Sequence, residues 1–137
     1  MTFNIKTLSA VETSDLHLRN ATDELLFDKD KNPITITLYG PGSKPYAKAV
    51  NAQQNRMIDK LKRKGKIDQT SEQKIEEQAE FLASVTVSFN NFEYGTGLTG
   101  ADMFRAAYSD TGIGFVGEQV GKHVADWANF TKPSAKN

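Results

Sequence analysis

The sequence predicts a mixed α+β fold that is predominantly helical. Short apolar alternations fill the first forty residues, apolar residues recur at helical spacing after them, and Gly, Pro and capping residues separate the segments. The predicted order is an N-terminal antiparallel β-hairpin or meander at about residues 2–40, followed by four α-helices at about residues 43–64, 70–88, 100–109 and 113–130.

The length of the chain fits one domain. A chain of 137 residues buries about two-thirds of its unfolded surface, which is enough for a real core. We expect a single domain over residues 1–131, with a β-rich part at 1–42 and a helical part at 43–131. The polar residues 132–137 are expected to form a disordered tail.

The predicted strands follow from apolar residues that alternate with polar ones. Phe3 and Ile5 show this pattern, and so do residues 16–18 and 34–39. The segment DKDKNP at residues 28–33 predicts the turn that leads into the last of these strands, because Asp and Asn favour turns and Pro lacks an amide donor. An antiparallel hairpin or meander is the expected result.

Capping residues define the first two helices. Ser43 is a predicted N-cap, Gly65 is a predicted C-terminal stop, and Thr70 with Gln73 forms a T-x-x-Q capping box. The β-branched run at residues 85–87 lowers helix propensity, so the end of the second helix can fray into extended chain. Apolar stripes mark the faces expected to pack inward: Tyr46, Val50, Met57 and Leu61 in the first helix, and Ile75, Ala79, Leu82, Val85 and Phe89 in the second.

The fourth helix has two distinct faces at a helical period of about 100° per residue. One face is apolar and carries Ile113, Val116, Val120, His123, Trp127 and Phe130. The other carries small residues, at Gly114, Gly117, Gly121, Ala125 and Ala128. A mid-helix glycine costs about 0.5–1 kcal/mol relative to alanine. We therefore expect close helix packing at Gly114, Gly117 and Gly121, within the subunit or between copies.

Composition excludes several classes of site. The chain has no cysteine and two histidines, His17 and His123, which lie in different predicted elements, so we expect no disulfide, metal or cofactor. No segment approaches the roughly 20 apolar residues of a membrane span, and the first residues lack the features of a secretory signal. We therefore expect a protein that stays in the cytoplasm where it is made. A formal charge of zero gives no overall attraction to nucleic acid.

The most legible motif is the G-x-G-x-x-G at Gly112, Gly114 and Gly117. A dinucleotide site needs this motif between a buried strand and a helix, with an acidic residue about 20 positions later. Here a predicted helix precedes it and the chain ends soon after. The candidate carboxylates lie on the polar faces of predicted helices, where they are solvated. Serines are present, but none lies in a G-x-S-x-G turn that would make it a nucleophile. We therefore expect no enzyme.

A basic run at residues 60–66 would predict nucleic-acid binding if it stood alone. Residues 56–66 carry six bases and one acid, whereas residues 68–80 carry five acids and one base. A short loop lets the two helices fold together, so their fields largely cancel beyond a Debye length of about 8–10 Å. A charge-paired helical hairpin is the preferred interpretation.

Aromatic residues concentrate in the last third of the chain and suggest a binding surface. Such side chains supply large contact area at low entropic cost and are enriched at binding hot spots. The candidate partner-binding residues are Phe104, Tyr108, Phe115, Val116, Val120, His123, Trp127 and Phe130.

Three segments carry a resemblance to a known family: PITITLYGPGSKPYAKAV, FLASVTVSFNNFEYGTG, and FRAAYSD followed by EQV and ADWANF. Over about residues 15–130 the chain resembles the small tail assembly chaperones of long-tailed bacteriophages. The resemblance implies a non-catalytic protein of the host cytoplasm that binds the tape measure protein and keeps it soluble while the tail tube assembles. It further implies absence from the mature virion.

Several partners follow from this resemblance. The tape measure protein is the main one, the tail tube protein is a second candidate, and self-association is expected; membranes and nucleic acid are not. The alternative is a structural virion component, either a tail subunit or a head–tail joining subunit. A small nucleic-acid-binding regulator that uses residues 60–66 is the third hypothesis.

Overall fold

In the part of the chain that the structure describes, a three-stranded antiparallel sheet is combined with four α-helices, which confirms the α+β prediction. The computed structural model describes residues 2–65 and 69–131. The strands are β1 (Thr13–His17), β2 (Thr35–Tyr39) and β3 (Thr86–Asn90), in the order β1-β2-β3. The helices are α1 (Lys44–Lys64), α2 (Ser71–Ser84), α3 (Gly100–Ser109) and α4 (Gly114–Ala125). The predicted tail at residues 132–137 lies outside the described residues.

Strand β2 forms the centre of the sheet because its alternation is the most complete. Ile36 and Leu38 are fully buried, while the alternate residues Thr35, Thr37 and Tyr39 are partly exposed. Ile36 pairs with Leu16 of β1 on one side and with Phe89 of β3 on the other. The sequence predicted a sheet confined to the first forty residues. This part of the prediction is wrong, because the third strand follows α2.

The first residues differ from the prediction. The alternation at Phe3 and Ile5 predicted a strand, but Ile5–Leu8 forms a 3₁₀ turn. Asn4 Oδ1 accepts the amide of Lys6 at 3.1 Å, a local bond that competes with sheet formation. Phe3, Ile5 and Leu8 are each about 70% exposed.

The predicted turn at residues 28–33 is present. Asp28 Oδ1 accepts the amides of Asp30 at 2.8 Å and Asn32 at 2.9 Å, and Lys31 takes a left-handed conformation. The residues on either side of the turn form one isolated bridge, Phe27 to Pro33, and not a hairpin ladder. Strand β2 pairs instead with β1.

Helix α1 begins and ends where its caps predicted. Ser43 Oγ accepts the amide of Tyr46 at 3.3 Å, and Gly65 closes the helix in a left-handed conformation with its amide on Leu61 O at 2.8 Å. Ala49 is the buried residue of this helix. The predicted inward stripe is therefore only half correct, since Tyr46 is partly buried whereas Leu61 is exposed.

Helix α2 ends at Ser84, four residues before the predicted end at residue 88. Its capping box is confirmed, because Thr70 and Gln73 exchange bonds of 2.9 and 3.2 Å. After Ser84 the β-branched residues extend as β3, and Val85 O accepts the amide of Tyr39 at 2.8 Å. Pairing with β2 satisfies the backbone amides and carbonyls of β3, which would bond within α2 if the helix continued to residue 88.

Helix α4 ends at Ala125, not at the predicted residue 130. Asp126 is extended, and its Oδ1 accepts the amide of Ala128 at 2.9 Å to start the 3₁₀ turn Trp127–Phe130. Helix α3 matches its predicted bounds. The core draws side chains from the sheet, from residues adjoining its strands and from all four helices: Leu18, Ile36, Leu38, Ala49, Ala79, Leu82, Ala83, Val85, Phe104, Tyr108, Val116, Val120 and Val124.

Candidate partner-binding site

Most of the predicted contact residues belong to the core. Phe130 and Val120 are fully buried, and Phe104, Tyr108 and Val116 are at most 8% exposed. These five side chains offer little or no surface to a partner in this conformation. The remaining three differ: Phe115 and His123 are half-buried, and Trp127 is 58% exposed.

Tyr108 has a structural role at the junction of α2, α3 and β3. Its hydroxyl lies 2.7 Å from Thr86 Oγ1, which also donates to Leu82 O at 2.8 Å. Burial raises the pKa of Tyr108 far above its ordinary value, and the hydrogen bond with Thr86 partly opposes this shift. The hydroxyl therefore remains protonated and serves to satisfy a buried polar group.

The break at Asp126 turns Phe130 back into the protein. Its ring packs on Gly40, where an added Cβ would lie 2.6 Å from Cγ and 2.8 Å from Cε2. Its carbonyl accepts the amide of Val11 at 2.7 Å. Trp127 is held beside Gly42, so the aromatic face predicted for one continuous helix is divided between core and surface.

His123 joins α4 to β1. Its Nε2 lies 2.7 Å from Ser14 Oγ, and its ring makes an edge contact with Phe130 at 5.3 Å between centroids. Burial lowers the pKa of His123, although Asp126 and Asp15 act in the opposite direction. Its position fits a packed histidine.

The glycine face of α4 makes little close contact within the subunit. An added Cβ would meet no atom within 4 Å at Gly114 or Gly121, and at Gly117 it would lie 3.5 Å from Leu82 Cδ1, an ordinary distance. The close helix packing predicted at Gly114 and Gly121 is therefore absent between described residues of this chain. Packing between copies stays a prediction.

The G-x-G-x-x-G segment follows α3, not a strand, and its first glycine amide is already occupied. Asp110 Oδ1 accepts the amide of Gly112 at 2.8 Å, and Asp110 Oδ2 accepts the Tyr94 hydroxyl at 2.7 Å. Both bonds lower the pKa of Asp110, so its side chain is a carboxylate. A bound phosphate would need positive potential at this position, and the carboxylate supplies negative charge. Within residues 2–65 and 69–131, no group of three His, Asp or Glu side chains is placed to hold a metal ion.

The distal half of α1 carries an exposed apolar patch that sequence reasoning missed. Met57, Ile58 and Leu61 are 41%, 47% and 45% exposed, and with Gln54 they line a shallow depression of about 310 Å³. We call these four residues the outer α1 face. Helical periodicity predicts that Met57 and Leu61 lie on an inward stripe, whereas the lysines beside them indicate that this half of the helix faces solvent.

An ion pair fixes the position of α1 against α2. Arg56 Nε donates to Glu77 Oε1 at 2.8 Å, and Tyr46 makes an edge contact with Phe81 at 5.8 Å between centroids. Arg56 and Glu77 belong to the oppositely charged segments, so they provide one charge pair of the predicted hairpin. The outer α1 face lies on a different side of the helix from Arg56.

Comparison with known proteins adds no family, since no family model, curated protein or solved structure matches the chain. In the part of the chain that the structure describes, no helix is both long enough and apolar enough to cross a membrane.

Proposed function

We propose that this protein is a non-catalytic tail assembly chaperone of a long-tailed bacteriophage. It binds the tape measure protein in the host cytoplasm and keeps it soluble while the tail tube assembles. The observation that carries the proposal is the outer α1 face, where three large apolar side chains of one helix stand together at the surface. The sequence resemblance over about residues 15–130 supplies the identity of the client.

The size of this face suits a chaperone that must release its client. Complete burial of a Met, Ile or Leu side chain contributes about 1.5–3 kcal/mol. Each of the three side chains is already about half buried, so covering them yields on the order of 2–4 kcal/mol in total. A single contact is therefore weak and reversible, and several copies along one elongated client would hold it by avidity.

Co-expression with the tape measure protein of the same genome tests this function. We expect the client to become soluble and to co-purify with the chaperone. The double substitution Met57→Ser/Leu61→Ser should abolish both effects. Its matched control is Leu8→Ser/Leu25→Ser, which removes two exposed apolar side chains elsewhere, 69% and 41% exposed. A client that stays insoluble with the unaltered protein would exclude this function.

Mass spectrometry of purified phage particles separates the chaperone from a structural virion component. A chaperone should be missing from the particle, whereas a structural subunit would be present at stoichiometric copy number. Detection at stoichiometric level would replace the proposal with the structural alternative.

A further inference from the structure

We infer that the outer α1 face binds an amphipathic helix whose apolar stripe is bordered by carboxylates. The inference rests on the proposed function only for the identity of the client, because the chemistry of the partner follows from α1 itself. Its basis is the arrangement of charge around the apolar patch.

Lysines border the patch on both sides. At 3.6 residues per turn, Gln54, Met57, Ile58 and Leu61 span about 100° of the helix circumference. Lys60 and Lys64 then lie along one edge and Lys62 lies about 40° beyond the other. The acid of this half, Asp59, lies outside the stripe, about 100° beyond Ile58.

This border selects the charge of a bound helix. A bound helix would lay its apolar stripe on the patch, with about 8–10 Å between the two helix axes. The residues that flank its stripe would then lie opposite the lysines. Carboxylates at those flanking positions form ion pairs at the rim, whereas lysines or arginines there meet like charges. The bases also stand at the C-terminus of α1, so the negative end of its macrodipole stabilises them in place without a partner.

A second copy of this chain is a poor occupant. Residues 56–64 carry five bases and one acid. Two copies joined through their outer α1 faces would bring both basic segments to one seam, where like charges oppose association. Self-pairing through this patch is therefore disfavoured relative to a partner with acidic edges.

A nucleic acid fits no better. Its charge is continuous along the backbone, and its recognition does not use a central apolar stripe. Beside Lys60, the groove between α1 and α2 is lined by Glu76, Glu77 and Glu80, which would repel a polyanion lying along that edge. These carboxylates also offset the charge of Lys60, so Lys62 and Lys64 provide most of the selection for a bordering carboxylate. A helix can instead place single carboxylates opposite single lysines.

Two synthetic helical peptides test the inference with the full-length protein. Both carry the same Leu stripe at i, i+3, i+4 and i+7; one has Glu and the other Lys at the bordering positions. We expect the Glu-bordered peptide to bind about tenfold more tightly at low salt, because ion pairs with Lys62 and Lys64 replace repulsions at the same positions. This preference should shrink as ionic strength rises.

Two variants assign the effect to this surface. Lys60→Glu/Lys62→Glu/Lys64→Glu should reverse the preference between the peptides, and Met57→Ser/Leu61→Ser should weaken the binding of both. Lys29→Glu/Lys31→Glu/Lys44→Glu, which changes three lysines outside the α1 patch, is the matched control and should keep the original preference. Circular dichroism of each variant verifies that helix content is unchanged.

Other outcomes would overturn the inference. Equal affinity for the two peptides would remove the role of charge. If the protein dimerises and Met57→Ser/Leu61→Ser abolishes the dimer, the occupant of the patch is a second copy. If the protein binds anionic vesicles and Lys60→Glu/Lys62→Glu/Lys64→Glu abolishes that binding, the occupant is a membrane. Because the peptides contain no tape measure sequence, their binding can succeed while client co-purification fails, and each result then decides its own proposal.

Discussion

Gly40→Ala tests the packing that holds the C-terminal segment of the protein in place. Gly40 follows β2, its amide donates to Glu12 O at 2.8 Å, and the Phe130 ring covers its Cα. The added methyl group would lie 2.6 to 2.8 Å from two ring carbons of Phe130. Since Phe130 is fully buried, its ring can relieve this overlap only by displacing core neighbours.

The magnitude follows from two opposing effects. Overpacking a filled core costs about 1–3 kcal/mol. Replacing glycine by alanine restricts the unfolded chain and returns about 0.4–1 kcal/mol. We expect the free energy of unfolding to fall by about 1–2 kcal/mol, which for a chain of this length lowers the Tm by about 2–8 °C.

Urea and thermal unfolding, followed by circular dichroism and by the fluorescence of Trp127, measure this change. Trp127 is the chain's one tryptophan and lies beside Gly42, so its emission reports on this corner of the molecule. Combining Gly40→Ala with Phe130→Leu provides the control, because a smaller side chain at residue 130 should reduce the penalty of the alanine. An unchanged unfolding midpoint for Gly40→Ala alone would refute the packing described here.

Three further changes have defined outcomes. Gly121→Ala should raise the free energy of unfolding by about 0.5–1 kcal/mol in urea titrations, because the helix position is open and alanine is the better helix former; a loss of stability would reveal a contact there. Thr86→Val should lower the free energy of unfolding by about 1–3 kcal/mol by leaving the Tyr108 hydroxyl without a partner, whereas Thr86→Ser should retain most of it. The lowered pKa of His123 means that the unfolded chain takes up a proton first as pH falls, so stability should be full above about pH 6.5 and decline below it. Urea titrations at pH 7.5, 6.5 and 5.5 should show that slope, and His123→Gln should reduce it.

Local features were the most predictable from sequence. Ser43, Gly65 and the pair Thr70 and Gln73 act within one helical turn, so their residue types alone fix where helices begin and end. The turn at residues 28–33 is local in the same sense, because the carboxylate of Asp28 bonds amides two and four positions later.

Contacts between elements far apart in the sequence could not be predicted. The segment 86–90 continues the apolar stripe of a helix, and it becomes a strand because β2, far earlier in the chain, offers a free edge. Helical periodicity likewise shows that Met57 and Leu61 share a face but not which element covers it. Helical periodicity predicts a surface position for Phe130 when the helix continues through Asp126, but the Asp126 side chain caps a new turn that buries Phe130.

The bond between the Tyr39 amide and Val85 O joins the two places where the α1–α2 hairpin leaves and re-enters the sheet. The hairpin is in effect an insertion with fixed ends, and its distal length is not constrained by the core. Lengthening a loop twofold costs only about 0.6 kcal/mol in closure entropy. Two extra helical turns on each arm would lengthen the outer α1 face by about 11 Å, so the extent of this surface can change in evolution or by design while the sheet stays the same.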